Sequence, residues 1–168
     1  MNQLRHLRTA AFSALAVAAL SPAAALAATA TTTFNVTATV LKVCTVSAGN
    51  LAFGNYDPTA ATPTDGTSTI SVLCTLSTPY NVRLSQGANG SSVTDRQMIG
   101  GGGSDTLAYS LYRDASHTQN WGETDTTDTL DVTGTGVLQA HTVYGRIAAQ
   151  TTAPVGSYSD TVTVTVNY

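Results

Sequence analysis

Charge and cysteine are scarce here: the 168 residues carry seven lysines and arginines, ten acids and two cysteines. So few cations exclude the basic stripe of a nucleic-acid surface. Beyond residue 28 no run is apolar for long enough to span a membrane, and none holds a helical period. Histidine is nearly absent too. His117 sits in the RDASHT turn and reads as a surface residue, and His141 lies on a strand of unknown facing. Neither has a serine or cysteine motif beside it, so both read as structural and no catalytic residue is expected. The glycines at 100–103 lack the Gly-Lys-Ser/Thr of a phosphate loop, and Gly134-Thr135-Gly136 lacks the third glycine of a dinucleotide fingerprint. Glu123, Asp125, Asp128 and Asp131 fit no calcium-loop spacing. No metal or cofactor site is expected.

What is present begins with a leader. Residues 1–8 carry Arg5, His6 and Arg8 and no acid, and residues 10–20 are apolar apart from Ser13. Ser21-Pro22 ends that run, and Ala25-Leu26-Ala27 supplies a small-x-small site. That order is a secretory signal over residues 1–27, with cleavage expected after Ala27. Removing Arg5 and Arg8 from the seven cations leaves five against ten acids, so the mature net charge is 5 − 10 = −5. In an exported chain the only two cysteines, Cys44 and Cys74, read as a disulfide. Neither histidine of the mature chain stands at a ligand spacing from them, which disfavours a zinc site. Closing a loop of about thirty residues removes about 3.5 kcal/mol of unfolded-state entropy in the chain model.

The mature sequence reads as short alternating runs cut by turns. Threonine occurs thirty times, and its branched side chain favours strands. Ile70, Val72 and Cys74 alternate, as do Tyr80, Val82 and Leu84 after the break at Thr78-Pro79. The glycine tip at 100–103 separates a run at 96–99 from one in which Leu107, Tyr109 and Leu111 share a face. Residues 137–149 make another strand, Pro154 and Gly156 a turn, and Val162, Val164, Val166 and Tyr168 point one way in the last run. Such a pattern predicts an all-β sandwich.

The front of the mature chain is different. From Thr31 to Val46 there is no turn signal, and read as one extended piece it spans about 50 Å at 3.3 Å per residue. Phe34, Val36, Ala38 and Val40 form an apolar stripe with Asn35, Thr37 and Thr39 opposite. Either this half bends across to the second sheet of its own domain, or it projects. An exposed stripe with free backbone donors aggregates unless another sheet receives it. At the other end the last run carries no following strand to cover its edge. Head-to-tail strand addition joins the two features, and a heterologous contact that does not close builds a filament.

These residues resemble a known family. TVLKVCTV around Cys44, LAFGNYDP at 51–58, SVLCT with Cys74, LAYSLYRDASHTQNW at 107–121, VYGRI at 143–147 and the final GSYSDTVTVTVNY match, in order, the spore-coat-protein-U-type domain of archaic chaperone–usher pilus subunits. The resemblance implies an incomplete immunoglobulin-like β-sandwich completed by donor-strand exchange. Residues 28–40 take the donor position, with Phe34, Val36, Ala38 and Val40 as its apolar side chains, and residues 41–168 form the sandwich. The last strand, with Val162, Val164, Val166 and Tyr168, takes the position that accepts a chaperone and then a donor. Implied partners are a periplasmic chaperone, an outer-membrane usher and neighbouring subunits, and no nucleic acid. The implied product is a surface fimbria that supports adhesion and biofilm formation, reached through the periplasm. A different reading is a monomeric secreted coat, matrix or carbohydrate-binding sandwich that folds in its own N-terminal strand.

Overall fold

A computed structural model describes residues 27–168 and divides the chain into two units, Met1–Ala38 and Thr39–Tyr168. The expected signal over residues 1–27 lies, save its last residue, outside the described residues. In the first unit residues 27–38 form neither helix nor strand, and all are exposed.

The second unit holds nine strands: β1 (Cys44–Ala48), β2 (Thr64–Cys74), β3 (Pro79–Leu84), β4 (Arg96–Gly100), β5 (Thr106–Tyr112), β6 (Leu130–Thr133), β7 (Gln139–Ile147), β8 (Tyr158–Ser159) and β9 (Val164–Asn167). They form two antiparallel sheets, one in the order β1-β2-β7-β5-β4-β8 and one in the order β6-β3-β9. The alternating runs supply the core. Ile70, Val72 and Cys74 of β2, Tyr80, Val82 and Leu84 of β3, and Leu107, Tyr109 and Leu111 of β5 are all buried. Their polar alternates face outward, because successive side chains on a strand point to opposite faces. Cys44 stands directly opposite Cys74 in the β1–β2 register, and the two sulfurs are bonded.

Three strands cannot cover the inner face of six. Part of the deficit is met by the segment after β1, which has no strand of its own. Leu51 and Phe53 lie over the directly paired Gly66 and Gly145 of β2 and β7. A Cβ at Gly145 would sit 2.8 Å from Leu51 Cδ1 and 2.9 Å from Phe53 Cζ, so only glycine admits that approach. Phe53 meets Tyr109 edge to face. The Tyr56 hydroxyl donates to the Ala148 and Thr151 carbonyls and accepts from the Thr151 amide, which holds the segment down.

The sheets are tied by a residue that composition hides. Arg96, on β4, is fully buried. Its Nε donates to the Ser85 carbonyl at 2.9 Å, Nη1 to Val93 at 2.6 Å, and Nη2 to Leu84 at 3.0 Å and Trp121 at 2.8 Å. Leu84 ends β3 and Ser85 follows it, so one guanidinium on the larger sheet satisfies carbonyls at the end of a strand of the smaller one. Among the described residues it forms no ion pair with a carboxylate. Burial pulls its pKa below the usual guanidinium value, and the charges of Tyr109, Glu123, Asp128 and Asp160 oppose that shift; a guanidinium stays protonated even so. Beside it Trp121, also fully buried, donates Nε1–H to the Val82 carbonyl at 2.9 Å.

Two stability measurements follow from this packing. Arg96→Met keeps the apolar stem but removes every donor, and each buried carbonyl left alone costs about 1–3 kcal/mol. The variant is expected to lose about 3 kcal/mol or more in urea unfolding, and a loss below 1 kcal/mol would refute the staple. Cys74→Ser is expected to lower stability by about 2–5 kcal/mol, read by the same unfolding curve, and to leave a free thiol at Cys44.

Candidate functional site

The remaining deficit of the smaller sheet falls between two strand edges. β1 is hydrogen-bonded only to β2, and β9 only to β3. Cys44, Val46 and Ala48 share the inward face of β1 with their partners Cys74, Val72 and Ile70, which are buried. Val46 is nonetheless 42% exposed, since nothing covers it from the side away from β2. Val162, Val164 and Val166 are likewise only half-buried against the core. Between the end of β1 and the start of β9 opens a groove of about 500 Å³, walled also by Leu51, Phe53 and residues 158–162. Ala48 and Val164 line its margins, and its floor is made by Ile70, Leu84, Leu111 and Val143, residues of the core itself. An open cleft that bottoms on core side chains marks a binding surface. At their nearest, Cα atoms of β1 and β9 lie within 8 Å. A strand bonded to both edges needs about 4.8 Å on each side, or about 9.6 Å in all, so the edges must part to admit one.

The last run of the sequence is not one strand. β8 pairs with β4 in the larger sheet, and β9 pairs with β3 in the smaller. The chain changes sheets at Asp160, whose carboxylate accepts from the Tyr109 hydroxyl at 2.6 Å, the Ala88 amide at 2.9 Å, Asn89 Nδ2 at 3.0 Å and its neighbour Thr161 at 2.8 Å. Burial, with Asp160 hydrogen-bonded beside it, pushes the Tyr109 phenol well above its usual pKa. Alternation alone gives no sign of this crossover. Thr163 then exchanges bonds with Ser85, its carbonyl accepting from the Ser85 amide and its amide donating to Ser85 Oγ, which carries Val162 and Val164 to the groove. Tyr168 does not share their position: it is 55% exposed, one residue past the end of β9.

The expected donor side chains are placed outside every strand. Phe34, Val36 and Val40 are 85%, 83% and 82% exposed, and Ala38 is exposed too. Of the turnless stretch over residues 31–46, only the half around Cys44 enters a strand, since β1 begins at Cys44. Thr75, just past β2, makes the last backbone pairing with the strand entering β1: its amide donates to the Val43 carbonyl at 2.9 Å, and its hydroxyl accepts from the Val43 amide at 3.1 Å. At Ser77 the backbone turns through φ 61°, and before Val43 the β2 side reaches only the Leu41 carbonyl, which accepts from Thr75 Oγ1 at 3.2 Å.

His117 is also corrected. It is not a surface residue: its ring is enclosed edge-on by Tyr112 and Tyr144, with Nε2 3.7 Å from Asp65 Oδ1. Asp65 is held by two bonds from Arg146, which lower its pKa, burial opposing. His141 Nε2 lies 2.8 Å from the Tyr80 hydroxyl, and burial lowers its pKa. The two imidazoles serve packing in different places and share no nucleophile. Of the acids, Asp125 pairs with Arg83 at 2.5 Å, Asp128 accepts from the Thr124 amide, and Asp131 accepts from Thr129. Among the described residues no three metal-capable side chains gather.

Comparison with known proteins agrees with this architecture. Protein U of Myxococcus xanthus is 37% identical, over the whole of both chains. Among solved structures, the chaperone–tip adhesion subunit pre-assembly complex CsuC–CsuE, from the archaic chaperone–usher Csu pili of Acinetobacter baumannii, superposes with a TM-score of 0.56 at 24% identity. That match covers 77% of this chain and 41% of the other, so the chain spans less than half the length of the pilus structure it resembles, and the likeness is one of fold. The Spore Coat Protein U domain matches residues 30–165, nearly all of the described chain, and the protein belongs to that family.

Proposed function

We propose that this chain is a structural subunit of a surface fibre assembled by the chaperone–usher route through donor-strand complementation. The observation that carries the reading is the groove between β1 and β9, open to the core and flanked by two unpaired edges. The chain also holds an apolar stripe of strand periodicity that no strand of its own uses. In this reading residues 1–27 are a secretory signal, residues 28–40 the donor strand and residues 41–168 the receiving sandwich. The stripe of Phe34, Val36, Ala38 and Val40 fills the groove of a neighbouring copy. Before assembly the flank of Val162, Val164, Val166 and Tyr168 is covered by a periplasmic chaperone, and an outer-membrane usher passes the subunit to the surface. The fold shared with a Csu subunit, itself solved bound to its chaperone, supports those partners. Adhesion and biofilm formation are the roles such a fibre serves.

A second reading draws support from the match to Protein U, which spans both chains in full. In it the domain is a coat or matrix protein whose stripe folds back into its own groove and which stays monomeric. The two readings place the same side chains in different molecules. Burying Phe34, Val36 and Val40 contributes about 5–8 kcal/mol at about 1.5–3 per large apolar side chain, and a charge there must be desolvated.

Val36→Arg separates them. Under donation the variant is exported and held by the chaperone but forms no SDS-resistant polymer. Under self-insertion it misfolds as a monomer, and a variant that polymerises normally would remove donation. Val164→Asp puts a charge on the receiving side. Little of it is expected to accumulate in the periplasm, because an uncovered edge is degraded or aggregates; normal amounts with normal chaperone binding would count against the groove as the receiving site.

A further inference from the structure

Outside the groove, the domain carries a second apolar surface. Leu41, Val43, Leu73, Leu76, Val137 and Leu138 are all exposed, in a protein whose remaining surface is largely threonine, serine and asparagine. They are gathered at one end of the sandwich. Leu73 points outward from β2, between the buried Val72 and Cys74. The β2–β7 register ends at Val72↔Gln139, so Leu73 and Leu138 are the residues that follow that last pair on the two strands. Leu76 lies in the turn after β2 and packs beside Gly136 of the turn before β7, with Ser77 and Gly134 bonded between the two turns. Thr75 Oγ1 reaches the carbonyls of Leu41 and Val43, so the strand entering β1 belongs to the same patch. Isolated exposed leucines need no explanation, but six exposed apolar residues on neighbouring segments do.

We propose that this collar is the surface on which a second copy of the chain seats when fibres form, a contact separate from the donor strand; the inference rests on the donor-strand reading above. The chain itself gives the argument. Val40 is the last residue of the donor stripe and Leu41 the first of the collar, so the two are consecutive. A residue of extended chain covers about 3.3 Å. A copy that holds Val40 in its groove therefore has its surface within a residue or two of Leu41, with no linker to keep the bodies apart. Two domains so closely tethered exclude water from whatever lies between them, and the collar is what lies there. The tether raises the effective concentration of the second contact, so an apolar area too small to hold free copies together suffices. In the unassembled chain the same patch is left to solvent.

The experiment places a photo-cross-linking benzoylphenylalanine at Leu138, outside both the groove and the donor stripe, and assembles the full chain with its chaperone and usher. Cross-links joining two copies are expected in SDS-resistant polymers and not in the chaperone-bound monomer. As a second measurement, Leu76→Cys introduces the one free thiol, since Cys44 and Cys74 are bonded to each other; it should lose reactivity towards a water-soluble maleimide on polymerisation. Polymers that form normally, give no copy-to-copy cross-link and leave Cys labelling at position 76 unchanged would overturn the collar while leaving donor exchange intact. Failure of the unsubstituted chain to form SDS-resistant polymers would instead remove the donor-strand reading, and the collar with it.

Discussion

Six strands packed against three is the constraint from which the rest of this structure follows. An apolar sheet face must be covered, and a three-stranded sheet reaches only part of a six-stranded one. The chain answers the mismatch in two ways. On one side the LAFGNYD segment lies down in place of a strand, admitted by the facing glycines at 66 and 145 and anchored through Tyr56. Beyond that segment, between the end of β1 and the start of β9, the cover stops, and core residues form the floor of an open groove that Leu51 and Phe53 help to wall. The surface proposed to receive a donor is thus a place where packing is left unfinished, in a molecule that finishes it elsewhere.

An unfinished flank endangers the sheets that border it, and the buried polar groups sit where the danger is greatest. Arg96 ties β4 to the end of β3, the strand that carries β9. Asp160 fixes the point at which the chain leaves the larger sheet, so that β9 starts in register on the smaller. The Cys44–Cys74 bond secures β1, whose five residues pair on one side only. A guanidinium bonded to four carbonyls is a demanding choice for an interior, because its desolvation is compensated only while all of them hold their places. It is suited to a margin that must stay open without coming apart.

The nearness of β1 and β9 gives the groove a second property. At their nearest the two strands are closer than a doubly bonded strand requires, so in the donor-strand reading occupation is coupled to a parting of the edges there. In that reading, part of the energy of inserting the apolar stripe goes into that opening.

Local pattern carried a great deal of this protein. The alternation of Ile70, Val72 and Cys74, of Tyr80, Val82 and Leu84, and of Leu107, Tyr109 and Leu111 placed β2, β3 and β5 and the faces they bury, because a period of two is a property of the strand itself. The unclaimed stripe at Phe34 to Val40 and the cysteine pair were legible for the same reason: each is a feature of neighbouring or singular residues. What stayed hidden depends on residues far apart in the chain. Arg96 reads as a surface cation until carbonyls from 84, 85, 93 and 121 converge on it. His117 reads as a turn residue until Tyr112 and Tyr144 close around it. The final run reads as one strand until Asp160 finds partners at 88, 89 and 109 and sends its two halves to different sheets. Periodicity is written into the sequence by backbone geometry, whereas the burial of a charge and the assignment of a strand to a sheet are set by long-range contacts, and those exist only once the chain has folded.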